Sequence, residues 1–159
     1  MYIPEHMLPL DAFFERKIVD IKNIYAGIKF RDGQIKYQAI YLSPIYRYAK
    51  VIAADGTASA HEKILYNRYQ KSYLGTSTKK VEALVESIRL NGFNPEYAPL
   101  AFRSLKRVFP LHRYDVADGH HRAAVLAALG QTKIELVIYK LKHKNSLRQL
   151  AESIQYSFK

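Results

Sequence analysis

The chain has 159 residues, no cysteine and a formal net charge of +11. That length suits one compact domain with a real core, and the missing cysteines exclude disulfides, thiolate metal sites and cysteine-nucleophile chemistry. Apolar residues make up 48%, which favours folding over disorder. No apolar run approaches the roughly 18–20 residues of a bilayer span. The start, Met1 to His6, lacks the charged-then-apolar layout of a signal peptide, so the expected location is the cytoplasm. The charge implies an anionic partner such as a nucleotide, a nucleic acid, an anionic lipid or a phosphorylated metabolite. Its lysines and arginines are scattered, however, a pattern equally consistent with solvated faces.

Residues 1–30 are poorly patterned, and Pro4 and Pro9 argue against an early helix. After the Asp32-Gly33 turn, Ile35, Tyr37, Ala39 and Tyr41 alternate as in a strand, which Ser43-Pro44 ends. Asp55-Gly56 marks another turn. Ser59 to Glu62 then has the Ser-x-x-Glu spacing of a capping box, in which side chains satisfy two orphan amides. A helix through Ile64, Leu65, Arg68 and Tyr69 should follow, ending near Leu74-Gly75. Thr78 is placed to cap a second helix with an apolar stripe of Val81, Leu84, Val85 and Ile88, stopped by Asn91-Gly92. Pro99 to Arg103 and Arg113 to Ala117 read as strands around a basic loop. Ala123 to Leu129 is a strong helix former closed by Gly130, and Ile134 to Leu141 reads as a strand. Asn145 or Ser146 should cap a last helix burying Leu147, Leu150, Ala151 and Ile154. This alternation suggests mixed α/β (α+β) layers in a single domain over 1–159.

The stretch Asp118-Gly119-His120-His121-Arg122 lies between a strand and the alanine-rich helix. A helix's first turn carries unsatisfied amides and a partial positive charge, so phosphate is its natural guest. His120, His121 and Arg122 could donate to phosphate oxygens, Arg122 in two-pronged fashion. Asp118 cannot favour an anion, and its roles are proton transfer or holding Mg2+ together with phosphates. The plain alternative is a helix cap with Asp118 or Gly119 as the turn, which explains neither imidazole. A zinc site at Asp118, His120 and His121 is disfavoured, because adjacent residues seldom converge on one centre.

From about Val81 to Tyr139 the order is helix, Ser87-Ile88 to Asn91-Gly92, two strands, Asp-Gly-His-His-Arg, helix, Gly130 and strand. This resembles the ParB/sulfiredoxin superfamily, with residues 81–140 as the best-matching core and residues 1–50 as an N-terminal extension. The resemblance implies a small mixed sheet with flanking helices and a nucleotide held at Gly119, His120, His121 and Arg122, with Ser87 nearby. Sulfiredoxin chemistry needs a cysteine and is excluded. Chromosome-partition ParB proteins follow this domain with a helix-turn-helix reader, for which the 18 residues after Leu141 are too few. A third branch, kinases of free serine, shares the Asp-Gly-His-x-Arg loop and places a His-Glu pair upstream. His61-Glu62 is the counterpart here, but His121 stands where those kinases have threonine.

The resemblance therefore implies a phosphotransferase moving phosphate from ATP or ADP, with CTP not excluded and with Mg2+, to the hydroxyl of an amino acid or sugar. Asp118, Glu62 and His120 would be catalytic. Glu62 is equally explained by its capping box. Arg47 and Arg68, among the crowded Tyr41, Tyr46, Tyr48, Tyr66, Tyr69 and Tyr73, could contact the substrate, although most such tyrosines sit at a core edge. The basic strip Arg103, Lys106, Arg107 and Arg113 reads as solvated surface or as a track for a nucleic-acid backbone. The alternative function is a non-catalytic ParB-like module that binds nucleotide or DNA, and the sequence leaves open whether the chain is an enzyme.

Overall fold

In the computed structural model, residues 12–30, 33–72, 77–103 and 113–141 are described. Six strands form one sheet: β1 (Ala12–Asp20), β2 (Ile24–Lys29), β3 (Ile35–Ala39), β4 (Leu100–Arg103), β5 (Tyr114–Asp118) and β6 (Lys133–Leu141). Their spatial order is β1-β6-β4-β5-β2-β3. The pairs β2–β5 and β4–β6 are parallel, while β1–β6, β4–β5 and β2–β3 are antiparallel. The helices are α1 (Pro44–Asp55), α2 (Ala60–Ser72), α3 (Thr78–Asn91) and α4 (His120–Ala128). The protein is a mixed α/β fold, as the alternation of elements implies.

Period-2 patterning builds the core. In β6 the alternate residues Ile134, Leu136 and Ile138 are buried in it, as are Tyr114 and Val116 of β5. Against them pack Ile45, Ala49 and Ile52 of α1, Val81 and Val85 of α3, and the whole run Ala123 to Ala127 of α4. The alanines of α4 leave room for α1, which lies against it, and α1 also touches α2 and α3. No described helix is long and apolar enough to cross a membrane.

Several expectations need correction. The poorly patterned N-terminal region contains β1 and β2. The strand from Ile35 stops at Ala39 and passes into a 3-10 turn, Ile40–Leu42. Ser43-Pro44 therefore does not end the strand but starts α1, an element that sequence patterning missed. Ser43 is fully buried and its Oγ accepts from the Tyr46 amide at 3.1 Å, with Pro44 in the first turn. Ser77, not Thr78, caps α3, accepting from the Lys80 amide at 3.4 Å. The expected C-terminal helix, the Leu74-Gly75 stop, and Tyr73, Lys106 and Arg107 lie outside the described residues.

Candidate anion-binding site

Strand β5 runs inside the sheet and ends at Asp118, which delivers the chain to Gly119. Gly119 is buried, adopts the left-handed conformation (φ 79°, ψ 18°) and is the N-cap of α4. A Cβ there would lie 2.6 Å from Arg122 Nη2 and 3.0 Å from the backbone of Pro99. The N-cap glycine brings no capping side chain to α4. Its opening amides, which have no intrahelical partner, are therefore left for solvent or an anion.

Arg122 sits one turn into α4 and folds back over this opening. Its Nη2 donates to Asp118 Oδ2 at 3.2 Å, both side chains being partly buried. The carboxylate thus holds the guanidinium beside the glycine. The imidazoles of His120 and His121 lie 4.0 Å apart, centroid to centroid. Burial lowers the pKa of His120, with Asp118 opposing the shift and Arg122 adding to it. His121 is pulled down to about 3, first by burial and then by the positive charges of His120, Arg122 and Lys80. Both rings are therefore mainly neutral at pH 7. The Nε2 of His121 is buried with no hydrogen-bond partner, a situation that costs about 1–3 kcal/mol and that a ligand oxygen or amide could relieve.

Lys80 was not singled out by sequence reasoning, yet its charge reaches His121. A signal was present. Lys79 and Lys80 occupy the first turn of α3, where the helix dipole disfavours cations. Pro99, which patterning places at a strand start, forms a wall of the glycine turn.

The remaining candidates fall elsewhere. Glu62 is held in the expected capping box: its Oε2 accepts from the Ser59 amide at 2.9 Å, and its own amide donates to Ser59 Oγ at 3.3 Å. It also lines a cleft of about 330 Å3 between α1 and α2, together with Arg47 and the tyrosines Tyr48, Tyr66 and Tyr69. None of Asp118 to Arg122 lines that cleft. Arg68 and His61 are exposed, and neither lines it. Ser87 is on an exposed face of α3. Arg113 is not a solvated strip residue: its Nε lies 2.6 Å from the buried Asp115, and its guanidinium stacks 4.1 Å from the Tyr25 ring centre. Among the described residues no group of three or more metal-ligating side chains converges, so a cation at Asp118 would need phosphate oxygens to complete its shell.

A mixed sheet with flanking helices, carrying a glycine turn that opens a helix under an arginine, defines a small α/β domain with an electropositive helix start. The ParB N-terminal domain family matches residues 57–154, more than half of the chain, and the chain belongs to that family within the ParB/sulfiredoxin-like superfamily. A solved structure of a Pnob8-like ParB-N domain is similar at 13% identity and a TM-score of 0.44, covering 94% of this chain and 39% of that one. The chain thus spans well under half the length of that relative. No curated protein matches the sequence.

Proposed function

We propose that the protein is a ParB-like module that binds a nucleoside di- or triphosphate, with the phosphates on the opening amides of α4. The observation that carries this reading is the uncapped start of α4 beneath the Asp118-anchored Arg122. Fixed amides plus a positioned guanidinium suit phosphate oxygens. The residues fit such a guest: with no Cβ at Gly119 the Arg122 guanidinium can lie against the turn, and the orphaned His121 Nε2 lies in the same cluster. Lys80 is exposed and its positive charge reaches the same cluster. Mg2+, when bound with the nucleotide, would neutralise phosphate charge, and Asp118 is the carboxylate at the turn that could share it.

Membership of the ParB N-terminal domain family favours this binding reading over a metabolite kinase. Phosphoryl transfer would need a carboxylate free to orient the acceptor hydroxyl. Asp118 is paired with Arg122, and Glu62 lines a separate cleft that none of Asp118 to Arg122 reaches. Titration calorimetry with CTP, ATP and ADP in the presence of Mg2+ tests the reading. At least one should bind saturably, and Arg122→Ala should weaken it about tenfold or more, the equivalent of one lost charge-assisted bond. No binding by any of the three would overturn it. Incubation of each nucleotide with pooled hydroxyl metabolites should leave the phosphorus NMR spectrum without a new phosphoester. A new phosphoester would restore the kinase reading.

A further inference from the structure

The cleft between α1 and α2 is a second site, separate from the anion-binding turn. We propose that it binds a free amino acid with an apolar, preferably aromatic, side chain: carboxylate to Arg47, ammonium to Glu62, apolar body against Tyr66, Tyr69, Leu65 and Val51. The cleft lies partly outside the family match, since α1 ends at Asp55 and the match begins at residue 57.

Size narrows the occupant first. A volume of about 330 Å3 stands at the small end of ligand pockets, roughly 300–1,000 Å3, enough for one ring and a short polar head but cramped for a nucleotide. Charge narrows it further. Arg47 is exposed and has no carboxylate partner among the described residues, so it is available for an anionic head. Glu62 uses Oε2 for its cap, which leaves Oε1, and its charge bears on the Tyr48 hydroxyl at the cleft wall. A simple cation would be repelled by Arg47, and a simple anion by Glu62. A zwitterion satisfies both.

The tyrosine wall is rigid. Tyr48 and Tyr66 stack at 4.7 Å and 21°, both buried, and the Tyr48 hydroxyl donates to Glu82 Oε1 of α3. With its hydroxyl committed there, Tyr48 offers the cleft a hydrocarbon surface. Tyr66 and Tyr69 continue this surface, their rings 5.8 Å apart.

Calorimetry of the full chain with L-phenylalanine, L-leucine, L-serine, phenylacetate and phenethylamine tests the assignment. Phenylalanine should bind saturably, leucine less tightly, and serine at least tenfold more weakly because it has no apolar body. Phenylacetate and phenethylamine each lack one head group and should lose about tenfold or more. Arg47→Ala should cost a similar factor for phenylalanine, and Val51→Trp, which fills the cleft, should abolish its binding. Nucleotide titration of Val51→Trp should be unchanged, which separates this site from any failure at the glycine turn. No binding of phenylalanine or leucine, equal binding of phenylacetate, or undiminished binding by Val51→Trp would each overturn the proposal.

Discussion

Two separate constraints fall on Gly119. Its positive φ disfavours any side chain, and an added Cβ would press on Arg122 and on Pro99. The arginine tip can swing away, but the proline backbone cannot. Gly119→Ala should therefore cost about 1–3 kcal/mol in urea denaturation, on the scale of a strained backbone position, and should also reduce nucleotide binding as Arg122 is displaced. An unchanged midpoint with unchanged binding would show that the turn has another shape. His121 gives a pH signature. Its folded pKa is about 3 against an ordinary 6.5, so between those values the unfolded chain binds the extra proton. Its contribution to stability is complete above about pH 6.5 and is lost progressively as pH falls toward 3. His121→Leu should flatten the fall in melting temperature across that window relative to the parent chain, followed by circular dichroism. Parallel profiles for the two proteins would mean that the imidazole is not buried.

Helix α1 shows how one dipeptide carries two messages. Ser43-Pro44 reads as a strand terminator, yet a serine followed by proline is also the signature of an N-cap and first helical position. The helical period in Ile45, Tyr48, Ala49 and Ile52 was present but was obscured by tyrosines assigned to a core edge. Strands β1 and β2 were hidden for a different reason. β1 is an edge of the described sheet, and its central Glu15, Arg16 and Lys17 break the apolar pattern. Arg16 pairs across to Glu135 of β6 at 3.3 Å. By contrast, the capping box before α2, the stripe of α3 and the glycine turn before α4 were all legible, because each rests on local spacing. Which candidate residues share a site is set by tertiary packing, and spacing alone could not place Glu62 and Arg47 in one cleft or Lys80 beside His121. The cap of α1 offers an element-scale test. Ser43→Ala removes a buried acceptor for the Tyr46 amide, and the loss should be about 1–2 kcal/mol. A change near zero would place the start of α1 elsewhere.

At the scale of the molecule, the charge of +11 must be reconciled with the proposed site for one nucleotide. Exposed lysines are spread over the described elements: Lys17 on β1, Lys36 on β3, Lys50 on α1, Lys63 on α2, Lys79 and Lys80 on α3, and Lys133 on β6. The charges of Lys80 and Arg122 both bear on His121 at the start of α4. Each DNA phosphate neutralised adds about −0.9 to the slope of log affinity against log salt. Contact with two or three phosphates should thus give a slope no steeper than about −3, with duplex binding faint at physiological salt. Nucleotide binding depends on fixed amides and partly buried groups, which salt screens less, and should persist there. Fluorescence anisotropy of a labelled duplex, run beside nucleotide calorimetry over the same salt series, compares the two. A slope steeper than about −5 with tight binding at physiological salt would require more than five phosphates to be contacted at once. Such a result would make nucleic acid, not nucleotide, the principal partner.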